Sequence, residues 1–182
     1  MKKIPTIFKR NPENMARVLP EINSECEWVA KGEGVATRKY DGTCCMIKGR
    51  RLFKRREIRR GKKQPADFIL EEYDPNTGKS FGWVPVSCDR PEDKYHCEAW
   101  FNQPGLPDGT YELVGPKIQG NPEKYPQHTL ISHANVEIYP DCPRTFEGLC
   151  AWLSDKDIEG IVFHHPDGRM AKIKKRDFGL NR

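Results

Sequence analysis

The first residues whose types and order suggest chemistry are Lys39-Tyr40-Asp41-Gly42. A lysine at the end of a strand and before a turn can serve as an amine nucleophile if its pKa is lowered, which nearby positive charge and partial desolvation would do. Arg38, a basic segment downstream and lysines near the C-terminus could supply that charge. Glycine at position 42 allows the backbone to turn tightly beside a phosphate. Taken alone, so short a motif arises often by chance, and an exposed strand-end lysine before an Asp-Gly turn is the plainer reading.

Two further constellations lie near the C-terminus, Asp157-Ile158-Glu159-Gly160-Ile161-Val162 and Lys172-Ile173-Lys174. Residues two apart in a strand share a face. Lys172 and Lys174 therefore point one way, and Ala171 and Ile173 the other. Two ammonium groups on one face repel unless an anion lies between them. Glu159 stands at the base of the same hairpin, where a carboxylate suits an oxygen-seeking Mg2+ (or Mn2+). Singly, each piece reads more simply as a surface lysine pair or a glutamate at a strand start.

The elements that must position these groups are mixed. Val35 to Tyr40 reads as a strand, and Cys45-Met46-Ile47 with Leu52-Phe53 as a hairpin around Gly49-Arg50. Asn11-Pro12 suits a short helix start, with Asn11 as N-cap. Residues 59 to 91 read as an irregular insertion with one short apolar piece, Phe81 to Val86. Further strands are expected at Gly109 to Val114, His128 to Ile131 and Asn135 to Tyr139. Phe146, Leu149, Cys150 and Leu153 fall at helical spacing behind Thr145, which can cap the helix. Ile161 to His165 and Met170 to Lys174 form a hairpin around Pro166-Asp167-Gly168. Without regular βαβ alternation, the expected class is α+β with antiparallel sheets in one domain.

Composition narrows the possibilities. The chain has 182 residues and a formal charge of +5, enough length for one core. No apolar run approaches a membrane span, and no apolar segment follows Met1-Lys2-Lys3, so neither a membrane protein nor a secretory signal is expected. The expected location is cytoplasmic. From Lys48 to Lys63 only Glu57 opposes the positive charge, and Arg51, Lys54, Arg56, Arg59 and Arg60 are candidates for a phosphate-binding track. A solvated basic loop is the alternative. Seven cysteines, with no CxxC pair, argue for free thiols in a reducing compartment over a zinc site built on Cys88, His96 and Cys97.

Order and spacing together change the weight of the pieces. KxDG, an arginine in the next hairpin, Glu112 in Tyr-Glu-Leu-Val-Gly, then EGIV and KIK follow one another in one chain. This order resembles the covalent nucleotidyltransferases, which comprise DNA ligases, RNA ligases and capping enzymes. Lys39 to Cys45, Gly82 to Val86, Glu112 to Pro122 (ELVGPKIQGNP), His128 to His133 and Ile158 to His164 (IEGIVFH) are similar to the vertebrate-type 5′-to-3′ RNA ligases.

That resemblance implies an antiparallel-sheet nucleotidyltransferase domain, ATP-grasp-like and without an OB domain, because the chain ends soon after Lys174. It implies ATP and Mg2+ as cofactors and RNA with 5′-phosphate and 3′-OH ends as substrate; nothing calls for an obligate protein partner. Lys39 would form lysyl-AMP, with Arg38 beside it on the nucleotide. Arg55 matches best the arginine that touches nucleotide and RNA end, with Arg56 one step away. Glu112 resembles the ribose-binding glutamate, Glu159 the carboxylate that places the metal, and Lys172 and Lys174 the pair on the α-phosphate. The usual adenine-stacking aromatic falls in Leu130 to His133, so His133 or an aliphatic residue takes that role. A capping guanylyltransferase, a DNA nick ligase and a non-catalytic RNA-binding protein of the same fold remain the alternatives.

Overall fold

The computed structural model of the protein describes residues 2–182. In chain order its strands are β1 (Phe8–Arg10), β2 (Val18–Ile22), β3 (Val35–Lys39), β4 (Thr43–Lys48), β5 (Arg51–Ile58), β6 (Ile69–Asp74), β7 (Lys79–Pro85), β8 (Gly109–Val114), β9 (Thr129–Ser132), β10 (Gly160–His164) and β11 (Met170–Lys174). The α-helices are α1 (Glu27–Ala30), α2 (Lys94–Asn102), α3 (Phe146–Ser154) and α4 (Lys175–Phe178). Every named strand pairing is antiparallel, in agreement with the expected mixed class. The chain divides into two compact units. One is Asp41–Asn135 with the N-terminal residues through Lys3, and the other is Ile4–Tyr40 with Val136–Arg182.

The second unit holds a three-stranded sheet of order β11-β10-β3 and the β1-β2 pair. Its core follows from alternation along the strands. Ala36, Ile161, Phe163, Ala171 and Ile173 are buried on one face of the sheet. Leu149 and Leu153 of α3 join the same apolar cluster, as their helical spacing predicts. Thr145 caps α3 by accepting the Gly148 N–H at 3.2 Å. The first unit holds a six-stranded sheet of order β6-β7-β5-β4-β8-β9, with Cys45, Ile47, Leu52, Tyr111, Leu113 and Leu130 in its core. The β4–β5 hairpin turns at Gly49 and Arg50, both at positive φ, as the right-handed twist of a two-residue hairpin requires.

Several expectations need correction. Asn11 does not start a helix: its side chain accepts the Glu13 N–H at 2.9 Å and forms an Asx turn in the β1–β2 connection. Such local bonds compete with helix entry. The 59–91 segment is not irregular throughout, because β6 and β7 form a hairpin within it that extends the sheet. Ile69, Leu70 and Tyr73 of β6 are exposed, as fits an edge strand interrupted by a bulge between Leu70 and Glu72, so no burial period marked it. Asn135 to Tyr139 supplies only an isolated bridge, Ile138 to Thr37. Helix α2 was not anticipated. Cys88 and Cys97 form a disulfide, contrary to the free-thiol expectation; the Asp93 carboxylate accepts the Ser87 N–H at 3.0 Å and folds that loop back on itself. Cys26, Cys44, Cys45, Cys142 and Cys150 are free thiols.

Candidate active site

In the second unit the register of three strands builds the central arrangement. Gly160, the first residue of β10, pairs with Lys39 at the end of β3 and with Lys174 at the end of β11. Cross-strand partners share a face, so the two lysines flank the same strand end. A Cβ at Gly160 would lie 2.1 Å from the Ile173 carbonyl oxygen, so no other residue fits this close approach. Glu159 precedes that glycine and reaches both lysines. Lys39 Nζ lies 2.5 Å from its Oε2, and Lys174 Nζ donates to its Oε1.

The glutamate is 9% exposed. Burial by itself pushes its carboxyl pKa up, but the charges of Lys39 and Lys174 outweigh that and hold it below the ordinary glutamate range. One buried carboxylate thus holds the ammonium groups of Lys39 and Lys174. Lys39 Nζ also lies 3.3 Å from the Tyr40 carbonyl.

Lys172 stands on the face of Lys174, two residues away, with Val162 opposite, and its backbone is tied to Pro5 and Ile7. Arg38 takes the face opposite Lys39. Its guanidinium lies 3.7 Å from Glu137 and 4.6 Å from the centre of the Tyr40 ring. The structure therefore joins Lys39, Glu159 and Lys174 directly and turns Arg38 to other partners.

Asp177 supports this group from behind, a role the sequence reading missed. It is 2% exposed, accepts the Lys174 backbone N–H at 2.9 Å, and pairs with Arg10 at 2.7 Å. The Lys-x-x-Asp spacing across a strand-to-helix junction, a capping-box pattern, could have signalled it.

In the first unit Glu112 lies on β8, largely buried. Its Oε2 is 3.2 Å from His133 Nε2, and His133 Nδ1 is 3.0 Å from the Thr110 hydroxyl. The tautomer with hydrogen on Nε2 donates to the carboxylate and accepts from the threonine. His133 thus fixes the carboxylate through its ring edge, which leaves the ring face as a separate surface.

Arg55 on β5 stands over the Phe81 ring at 5.4 Å, and its Nε and Nη2 are buried without a hydrogen-bond partner. Buried guanidinium donors normally have acceptors, and the charge of Arg55 acts on the Glu71 carboxylate, helping the Trp83 hydrogen bond, the larger cause, to hold its pKa down. Lys54, its neighbour, is instead committed to Asp93, a fully buried carboxylate. Arg51, Arg56, Arg59 and Arg60 are exposed.

Another feature of this unit also went unread in the sequence. Lys117, Gln119, Asn121 and Lys124 all take positive φ, an uncommon run for residues other than glycine. The loop is held by paired bonds between Asn121 and Tyr125 and delivers Glu123, which accepts the Asp41 N–H at 2.9 Å. Gly42 packs so closely that a Cβ there would lie 2.2 Å from the Leu113 carbonyl oxygen. The GNP segment therefore grips the turn that follows the lysine, a function readable only from the backbone angles.

The side chains define a lysine–carboxylate–lysine cluster on one antiparallel sheet and a buried glutamate–histidine pair on another. Among the described residues, no group of three or more His, Cys, Asp or Glu side chains forms a self-sufficient metal cage. Comparison with known proteins finds similarity to proteins named RNA ligase 1. Residues 101–182 match the family model described as RNA ligase 1. A protein named RNA ligase 1 from Danio rerio is 34% identical over 83 residues, covering 41% of this chain and 26% of that protein. RNA ligase 1 of Rattus norvegicus is 26% identical over 220 residues, covering 80% of this chain and 67% of its own length. The Pongo abelii protein of that name is 36% identical over 83 residues, 41% of this chain and 26% of its own length. The chain is thus similar to proteins named RNA ligase 1, in line with the resemblance its motifs carry. It spans about a quarter of the length of two of these relatives and about two-thirds of the rat protein.

Proposed function

We propose that the protein is an ATP-dependent RNA ligase that joins 5′-phosphate and 3′-OH ends through a lysyl-AMP intermediate on Lys39. The observation that carries this reading is the cluster of Lys39, Glu159 and Lys174 at three adjacent strand ends. In that cluster the nucleophile, a carboxylate and a second cation come together in the motif order shared with nucleotidyltransferases.

The first step begins with Lys39 leaving Glu159. Lys39 gives up a proton to solvent, its neutral amine attacks the α-phosphorus of ATP in line, and a P–N bond forms as the P–O bond to the departing pyrophosphate breaks. Lys172 and Lys174 oppose the negative charge that develops on the α-phosphate oxygens. Glu112, held by His133, accepts from a ribose hydroxyl, and the unpartnered Nε and Nη2 of Arg55 bond phosphate oxygens of the nucleotide or of the RNA end. In the second step the RNA 5′-phosphate takes the AMP from Lys39. In the third the 3′-OH displaces AMP and closes the phosphodiester. Lysine, glutamate and arginine contribute orientation and charge throughout.

Glu159 is the residue that would hold Mg2+ (or Mn2+), which would neutralise phosphate charge when bound. A single carboxylate fits that ion, since Mg2+ commonly takes one or two carboxylates and completes its shell with phosphate and water. The exposed cations Arg51, Arg56, Arg59 and Arg60 form the RNA track of the first unit, whereas Lys54 is engaged with Asp93.

The deciding experiment is self-labelling with α-labelled ATP and Mg2+ on a denaturing gel. Wild type is expected to carry label and Lys39→Ala none. Label from GTP alone would move the protein to the capping class, and no label from either nucleotide would refute the enzyme reading.

A further inference from the structure

Outside these groups the second unit contains a cavity of about 610 Å3 between the β1–β2 connection and the C-terminal turn, with Arg10, Arg17, Arg176 and Asp177 in its wall. Arg10 and Arg17 flank the β1–β2 connection, Arg176 lies in α4, and the three converge on one opening. Asp177 does not neutralise them all. One of its oxygens accepts from Arg10 at 2.7 Å and the other from the Lys174 N–H at 2.9 Å. Arg17 spends one nitrogen on the Arg176 carbonyl at 2.8 Å and lies against Gly179, where a Cβ would come within 2.6 Å of its Nη1. Among the described residues, no carboxylate pairs with Arg17 or Arg176, and both side chains are exposed. The wall also carries Met15, 66% exposed, and Leu180, an apolar surface of the kind a base or ribose covers.

We propose that this cavity is a subsite for one nucleotide unit of an RNA strand, with Arg17 and Arg176 on the phosphodiester and Met15 and Leu180 under the sugar or base. The proposal rests on the reading of the protein as one that acts on RNA. A lone small anion gains little from two exposed guanidiniums, because solvent and salt screen them. A strand brings successive phosphates, and each contact releases counterions. The volume lies within the range of small-ligand sites and exceeds what a bare phosphate fills.

The test uses the full chain and a short 5′-phosphorylated, fluorescent RNA, with anisotropy followed across a salt series. Arg17→Ala with Arg176→Ala is expected to weaken binding roughly 10-fold at low salt and to reduce the slope of log K against log salt by about 1. Self-labelling by ATP should equal that of wild type. Should the double variant fail to fold, Arg176→Glu gives the same reading, since that exposed side chain has no described partner to lose. An unchanged slope and affinity would overturn the proposal. Competition by AMP or inorganic phosphate as effective as by unlabelled RNA would also overturn it, in favour of a small-anion site. A wild type that binds RNA with the full slope yet never labels with ATP would refute the ligase reading and leave this subsite standing.

Discussion

Glu159 is the residue on which the local stability of the second unit's lysine cluster turns, and with it the chemistry proposed for that cluster. It is a mostly buried anion shared by Lys39 and Lys174, so Glu159→Gln leaves two ammonium groups facing each other without a counter-charge. Breaking such a buried arrangement by removing one partner costs about 3 kcal/mol. Thermal or denaturant unfolding at neutral pH should show a loss of this order, together with severe loss of self-labelling. The pH dependence has a definite sign. The folded-state pKa of Glu159 lies below the ordinary value of 4.5, so its stabilising contribution is complete above that value and fades as pH falls through the lower folded pKa. Unfolding curves from pH 7 down to pH 3 should show the gap between wild type and Glu159→Gln closing on the acid side. A gap that stays constant would mean that the carboxylate contributes by shape alone.

At the scale of elements, the cluster depends on the three-strand register. Gly160 is the residue that lets β3, β10 and β11 end together, because the Ile173 backbone occupies the space a side chain would need. Gly160→Ala must push β10 away from β11 or break the pairing of Gly160 with Lys174. A destabilisation of about 2–3 kcal/mol is expected from such overpacking, with self-labelling reduced more than the melting temperature alone would explain. Gly168→Ala, in the exposed turn of the same hairpin with nothing near its missing Cβ, tests the comparison. Its effect should be confined to the cost of positive φ, about 1 kcal/mol, and labelling by the folded fraction should match wild type. Equal losses of labelling in both variants would remove the close approach as the cause.

At the scale of the whole molecule, the excess charge of +5 is less informative than its arrangement. Lys48 to Lys63 is basic but for Glu57 in sequence, yet β5 places Lys54 against a fully buried Asp93 and Arg55 over Phe81, leaving Arg51, Arg56, Arg59 and Arg60 as the exposed cations of the proposed track. Reversing Arg51, Arg56, Arg59 and Arg60 to glutamate should cut RNA sealing by at least 10-fold, with a shallower salt dependence, while self-labelling by ATP stays near wild type. Equal loss of both activities would show that these side chains serve the nucleotide step or the fold. No helix among the described residues is long and apolar enough to cross a membrane.

The sequence by itself determined those features that repeat along the chain or sit within one hairpin. The β10–β11 turn, the Thr145 cap, the shared face of Lys172 and Lys174 and the linear order of the motifs all follow from periods of two or 3.6 and from turn residues, which act over a few positions. Only the tertiary structure decided which distant groups meet. That Glu159 joins Lys39 rather than standing as a solvent-facing strand start depends on a register across 120 residues. That Arg38 turns to Glu137, Lys54 to Asp93, and Cys88 to Cys97 depends on where backbone segments pack. Charge and hydropathy give each side chain its appetite for a partner. The partner itself is chosen by the burial of the apolar faces, which no local pattern encodes.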